Sequence, residues 1–137
     1  MNERDQIFRE RLVGLMSALN GGEGRDRSLR RMIGTYSNKL ARDAGVRDWA
    51  DLKQRADGPT YDSLLKVFQT QSAELAKRGD TIGVRAFEVL GISLIARRQY
   101  QADLMPGINF LDRYIEECAT NARRAGAQFI PSARSRH

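Results

Sequence analysis

The side chains that most often carry catalytic chemistry are scarce in this sequence. The 137 residues include one His, which is His137, and one Cys, which is Cys118. A Ser-His-Asp triad or a Cys-His pair needs an imidazole beside its nucleophile, and a disulfide or Cys-based zinc site needs a second Cys. The sequence also lacks the common metal-binding and phosphate-loop motifs. We therefore predict a protein that is not an enzyme and that binds no metal or cofactor.

The remaining candidates for catalytic groups are carboxylates, which could transfer protons, and the single thiol, which could act as a nucleophile. Asp112, Glu116 and Glu117 form a cluster beside Arg113 on the polar side of a predicted helix. Solvated carboxylates of this kind pair with neighbouring cations rather than transfer protons. Cys118 falls in the apolar stripe of the same helix, where a thiol usually packs as a small hydrophobic group. We predict structural roles for these residues.

The strongest functional signal is the uneven distribution of positive charge. The chain carries 23 Lys and Arg against 17 Asp and Glu, which gives a net charge of +6. Residues 25–55 contribute nine basic and four acidic side chains, so a net charge of +5 lies within 31 residues. Arginine-rich surfaces favour phosphate and carboxylate partners. The alternative is a solvated face whose arginines pair with Asp26 or Asp43.

The basic segment contains the candidate nucleic-acid contacts. These are Arg27, Arg30, Arg31, Asn38, Arg42, Arg47 and Lys53. A step of 100° per residue places Arg27, Arg31, Asn38 and Arg42 within an arc of about 60°, opposite the apolar stripe of the second predicted helix. Such a row can follow a phosphate backbone. It contains no aromatic side chain on which an unpaired base could stack, which favours a duplex over a single strand.

The segment Lys39–Val46, with the sequence KLARDAGV, resembles the first helix and turn of a helix-turn-helix motif. In that motif a turn containing Gly directs a second helix into the major groove, so the resemblance implies a DNA-contacting helix after Gly45. The resemblance covers about eight residues and then fails. The second helix of the motif needs an apolar residue about where Asp51 stands, whereas the apolar pair here is Trp49 and Leu52.

Apolar residues recur at helical spacing along the chain, and no segment alternates convincingly with a period of two. We predict an all-α bundle of five to six helices in one domain over residues 1–131, followed by a disordered basic tail at 132–137. The first two predicted helices cover residues 3–19 and 26–44. A short third helix follows an Asp48 cap, and a fourth runs from a Thr60 cap to Gly79. The last two cover about 80–104 and about 107–124. The Gly-rich stretch 20–24 is predicted to be a flexible linker, and Pro106 is compatible with a turn or with a kink in one long helix.

The helix predicted at about 80–104 is apolar almost all round. Between Ile82 and Ala96 its only charged residues are Arg85 and Glu88. Such a helix must be covered on nearly every side, so it lies either at the centre of the bundle or against another subunit. The candidate oligomer-interface residues, which point away from its broad apolar side, are Val84, Ile92 and Ile95.

These features lead to two functional hypotheses. The first is a non-catalytic regulatory or accessory protein that binds nucleic acid, with duplex DNA as the expected partner, through residues 25–55. The alternative is a homo-oligomeric interaction module or adaptor with no nucleic-acid role. No apolar stretch approaches the roughly 20 residues of a membrane span, and the charged start MNERDQIFRE lacks the apolar core of a secretion signal. We expect a cytoplasmic protein with no membrane partner and no small-molecule substrate.

Overall fold

The computed structural model describes residues 3–55, 58–96 and 102–134, and it describes side chains up to residue 126. This part of the chain contains six α-helices and no strand, which confirms the predicted all-α bundle. The helices are α1 (Glu3–Asn20), α2 (Arg27–Asp43), α3 (Trp49–Arg55), α4 (Gly58–Lys77), α5 (Thr81–Ala96) and α6 (Met105–Arg134). Two short 3-10 helices span Gly22–Arg25 and Ala102–Leu104. The predictions for residues 97–101 and 135–137 lie outside the described residues.

Helix α5 occupies the centre of the bundle, as its apolar sequence predicts. It contacts α1, α2, α4 and α6, and nine of its 16 residues are buried. Its Phe87 ring lies 4.6 Å from the Tyr36 ring on α2 and 5.7 Å from the Phe68 ring on α4. Full burial of one such side chain contributes roughly 1.5–3 kcal/mol, so α5 supplies much of the core. Among the described ranges, no helix combines the length and apolarity needed to cross a membrane.

Two helix ends follow their sequence signals closely. Gly45 and Gly79 have φ angles of +71° and +73°, the left-handed conformation in which glycine commonly terminates a helix. At the start of α2, the Asp26 carboxylate accepts a hydrogen bond of 2.9 Å from the backbone N–H of Leu29. This side-chain cap satisfies one of the backbone donors that a helix leaves open at its first turn.

Other boundaries differ from the predicted ones. Helix α4 begins at Gly58, so Thr60 lies inside its first turn rather than capping it. The described part of α5 ends at Ala96, and α6 starts at Met105. Pro106 is therefore the second residue of α6, where its missing N–H costs no helical hydrogen bond, and it does not interrupt a continuous helix. Helix α6 runs on to Arg134, so residues 132–134 of the predicted tail are helical.

The Gly-rich stretch after α1, predicted to be a flexible linker, contains a short 3-10 helix whose Gly24 packs closely against the end of α1. Gly24 belongs to the 3-10 helix and is buried. A Cβ atom at this position would overlap the backbone carbonyl of Leu19. The Gly24 carbonyl accepts a hydrogen bond of 2.9 Å from the hydroxyl of Tyr114 on α6. The glycine therefore permits a close backbone approach.

The contact between α2 and α6 is equally close. Gly34 of α2 is buried against the backbone of Cys118 on α6, and a Cβ atom at Gly34 would overlap the Cys118 carbonyl. One turn further along α2, the buried Ser37 hydroxyl donates a hydrogen bond of 3.0 Å to the Gly34 carbonyl. Only glycine allows the two helices to approach this closely, because the opposing atoms belong to the backbone and cannot rotate away.

We expect Gly34→Ala to lower the free energy of unfolding by about 1–3 kcal/mol, the usual cost of overpacking a core. Gly14→Ala is the matched control, because Gly14 lies within α1 and a Cβ atom there would meet nothing within 4 Å. Helix propensity should make the control about 0.5–1 kcal/mol more stable than the parent. Urea unfolding followed by circular dichroism measures both effects. A stabilising Gly34→Ala would contradict the close α2–α6 contact.

Candidate functional site

Three arginines project from one side of α2, and we call them the arginine face: Arg27, Arg31 and Arg42. All three are exposed, and none of the described carboxylates forms an ion pair with them. The two acids that the sequence offers as alternative partners are engaged elsewhere. Asp43 pairs with Lys39 at 2.9 Å, and Asp26 caps the first turn of α2.

The arginine face extends along most of α2. Arg27 and Arg42 are 15 residues apart, which corresponds to about 22 Å along a helix. The positions between them on this side of the helix, Thr35 and Asn38, are neutral. A DNA duplex carries one negative charge per about 1.7 Å of its axis, a spacing that would offer phosphates both to Arg27 and Arg31 at one end and to Arg42 at the other.

Arg30 lies on a different side of α2 from the arginine face. Its side chain is 25% exposed, and its guanidinium lies 3.4 Å from the Glu117 carboxylate and 5.2 Å from the centre of the Tyr114 ring. A second contact of 3.4 Å joins the guanidinium to the Gly24 carbonyl. These partners belong to α6 and to the corner after α1. Arg30 therefore helps to hold the bundle together, and these partners compete with its predicted phosphate contact.

Asn38 connects the arginine face to α6. Its amide nitrogen donates a hydrogen bond of 3.0 Å to the Ala119 carbonyl, and its amide oxygen accepts one of 2.7 Å from Arg123. Arg123 is exposed and also donates to the Thr120 hydroxyl at 3.2 Å. The fold thus adds a cation at the edge of the arginine face. The local sequence carries no signal for this, because 85 residues separate Arg123 from Asn38.

Lys53 faces inward, away from solvent. Its side chain is 12% exposed, and its ammonium donates to the Asp112 carboxylate at 2.8 Å and to the Ser93 hydroxyl at 3.0 Å. The Ser93 hydroxyl also accepts from the Trp49 indole N–H at 3.2 Å and donates to Asp112 at 3.1 Å. We call these four residues the Lys53 network. It joins α3, α5 and α6, so Lys53 is not available to a phosphate backbone.

Helix α3 carries little unpaired charge of the kind that the helix-turn-helix resemblance implies. The exposed Arg47 lies 3.3 Å from the Asp48 carboxylate, and Arg55 lies 2.8 Å from Asp51. The backbone N–H of Arg47 and the Arg55 guanidinium both lower the pKa of Asp51, which keeps that carboxylate charged. With seven residues, and with Trp49 and Leu52 buried, α3 serves mainly to cover the core.

The predicted oligomer-interface residues show little apolar surface. Ile92 is 3% exposed and packs in the core, while Val84 and Ile95 are half-buried against it. The chain's own helices therefore cover most of the side of α5 that we assigned to a second subunit. Among the described residues, the exposed large hydrophobic side chains are Ile7, Val13 and Val67, which lie on α1 and α4. The oligomer hypothesis stays a prediction.

Cys118 is shielded by its surroundings. It is 1% exposed beside Tyr114, and burial raises the pKa of the thiol to about 11 and that of the Tyr114 hydroxyl to about 12. The thiolate is the reactive form of cysteine, so its population near neutral pH is very small. Within the described ranges, no three His, Cys, Asp or Glu side chains come together as a metal-binding group.

We expect the native protein to react with Ellman's reagent at pH 8 at least about 100-fold more slowly than the same chain in 6 M guanidinium chloride. Unfolding exposes the thiol and returns its pKa to the ordinary range. Because Cys118 is the only cysteine, one equivalent of released thiolate reports on it alone. A rapid stoichiometric reaction of the native protein would show that the thiol is accessible.

Comparison with known proteins gives no relative from which a function could be transferred. The chain matches no protein-family model, no curated protein and no solved structure. Its functional interpretation therefore depends on the arginine face, the Lys53 network and their surroundings.

Proposed function

We propose that the protein binds nucleic acid, with duplex DNA as the partner, through phosphate contacts from the arginine face. The observation that carries the proposal is the exposure of Arg27, Arg31 and Arg42 on one side of α2 without an ion-pair partner among the described carboxylates. A guanidinium offers several N–H donors in a plane that matches two phosphate oxygens. A hydrogen bond from Lys39 and the charge of Arg42 lower the pKa of Asp43, but no described acid forms an ion pair with any of the three arginines, so their donors remain available to a polyanion.

The position of Arg27 is unfavourable for the helix itself. Arg27 is the first residue of α2, and the nearest acid in this turn is the Asp26 cap, which already accepts from the Leu29 N–H. The positive end of the helix dipole disfavours an exposed cation there by roughly 0.3–1 kcal/mol, and the effect fades beyond the first turn toward Arg31. Arg30 is compensated by Glu117 and Tyr114, whereas Arg27 and Arg31 have no such contact among the described residues. A partner rich in phosphate accounts for charge that folding does not favour.

The arginine face predicts recognition of the DNA backbone rather than of the base sequence. Contacts to phosphate fix the position of a protein on a duplex but carry no direct sequence information. The two cations of the short helix α3, which the motif resemblance assigns to base contacts, are both paired, Lys53 with Asp112 and Arg55 with Asp51. We therefore propose an accessory role in which affinity depends on the DNA backbone and little on base sequence.

We expect Arg27→Gln, Arg31→Gln and Arg42→Gln together to abolish most duplex binding. Three phosphate contacts predict that the logarithm of the binding constant falls with the logarithm of salt concentration with a slope of about −2.7, or about 40-fold in affinity between 50 and 200 mM salt. The triple variant should lose about that much slope. Fluorescence anisotropy of a labelled 20-bp duplex, titrated at several salt concentrations, measures both quantities.

The matched control changes net charge equally at three other exposed arginines, which are Arg4, Arg11 and Arg78. These residues lie on α1 and just after α4, away from the arginine face. We expect the control to keep the parent slope to within about one phosphate contact. Equal losses in the two triple variants would assign binding to net charge alone, and an absence of duplex binding by the parent protein would refute the proposal.

Arg27→Glu separates the functional role of this position from its structural role. A carboxylate at the first residue of α2 complements the helix dipole, so the free energy of unfolding should rise by about 0.3–1 kcal/mol. Duplex affinity should fall at the same time, because a phosphate contact is replaced by repulsion. Thermal unfolding and anisotropy on the same sample measure the two effects. Loss of both stability and binding would indicate that Arg27 serves the fold.

A further inference from the structure

A cavity of about 540 Å³ opens between α3 and α6. Small-molecule sites in proteins typically have volumes of about 300–1,000 Å³, apolar walls and a few polar groups. The apolar part of this wall includes Trp49, Ala96, Met105, Ile108, Ile115 and Ala119. The residues that α6 contributes are three or four positions apart, so one continuous side of the helix forms the wall.

The Lys53 network supplies the polar part of the cavity. Lys53 and Asp112 both line it. Of the three ammonium protons of Lys53, two are accepted by Asp112 and Ser93, and no described group accepts the third. At 12% exposure this ammonium is poorly hydrated, so an acceptor that enters the cavity replaces little bound water.

Arg47 and Arg123 line the same cavity and hold further donors. The Nε atom of Arg47 lies near Asp48, which leaves both terminal nitrogens of this 81% exposed side chain open. Arg123 donates only to neutral acceptors, the Asn38 amide and the Thr120 hydroxyl.

The cavity lining also contains three acids, so its formal net charge is zero. These acids are Asp48, Asp112 and Glu116. Asp48 and Asp112 are already paired with Arg47 and Lys53, and Glu116 is exposed to water. Each of the three cations keeps an N–H donor with no acceptor among the described residues, and on Arg47 and Arg123 several donors remain. The open acceptors are fewer: Oδ1 of Asp112 already accepts from Lys53 and Ser93, which leaves its Oδ2 and the exposed Glu116 carboxylate. The unsatisfied hydrogen-bonding capacity therefore favours an anionic head group over a cationic one.

We propose that this cavity binds a small organic carboxylate whose aromatic or branched body packs against Met105, Ile108 and Trp49. The carboxylate accepts the third N–H of Lys53 and a guanidinium donor from Arg47 or Arg123. This assigns Lys53 to a ligand site instead of the predicted phosphate contact. No member of the arginine face lines the cavity, although Arg123 lies at the edge of both surfaces.

Three probes with the same ring and different head groups test the proposal: benzoate, benzyl alcohol and benzylamine. Trp49 is the only tryptophan, so its indole N–H signal in a ¹⁵N-correlation NMR spectrum reports on the cavity wall. We expect benzoate to shift this signal saturably, with a dissociation constant at least about tenfold lower than that of either other probe. Tighter binding of benzylamine would assign the site to Asp112 or Glu116, and no saturable shift with benzoate would overturn the proposal.

Substitutions in the cavity test which side chains bind the carboxylate of benzoate. Lys53→Met should remove the preference for benzoate over benzyl alcohol, whereas Arg124→Met, at an exposed position of α6 outside the cavity, should leave it unchanged. If Lys53→Met fails to fold, the double variant Arg47→Gln and Arg123→Gln provides the test, because both side chains are exposed. It should weaken benzoate binding by at least about threefold and leave benzyl alcohol unaffected. An unchanged preference in the folded variants would overturn the assignment.

Discussion

The close contact between α2 and α6 determines which side of α2 meets solvent. Gly34 lies directly against the Cys118 backbone, and Asn38 bonds the Ala119 carbonyl one turn further on. These two contacts fix the rotation of α2 about its axis. A rotation by a single residue, about 100°, would turn part of the arginine face toward the core and bring buried leucine and isoleucine side chains toward water. The proposed phosphate-binding surface therefore depends on backbone packing at the adjacent edge of the same helix.

The fold divides the basic segment into two groups with different roles. Lys53 is largely buried and Arg30 is partly buried, and each is held by a carboxylate and by further hydrogen bonds or ring contacts. Removing the carboxylate partner of such a buried cation costs more than losing an exposed pair, which contributes about 0–1 kcal/mol. Arg27, Arg31 and Arg42 have no ion pair with a described carboxylate, so packing within the bundle does not account for three like charges on one side of α2.

Sequence periodicity predicts the helices and the central position of α5, because apolar spacing is a local property. Gly45 and Gly79 also end their helices as predicted. Three features depend on residues that are distant in the chain and could not be predicted. The corner at Gly24 is ordered by Tyr114, the ammonium of Lys53 is held by Asp112, and Arg123 reaches the arginine face through Asn38. Helical angles place a side chain on one side of its own helix but do not identify the neighbouring helix, and that neighbour decides whether a cation is solvated or paired.

The pairing of α2 with α6 also constrains how the chain reaches its native state. The Gly34–Cys118 contact joins residues 84 positions apart, so it closes one of the longer loops in the fold. Until α6 is available, Gly34 and Asn38 of α2 lack the backbone that they contact. An N-terminal fragment that stops after α5 would leave this side of α2 uncovered, and we expect the docking of α6 to be a late, non-local step in folding.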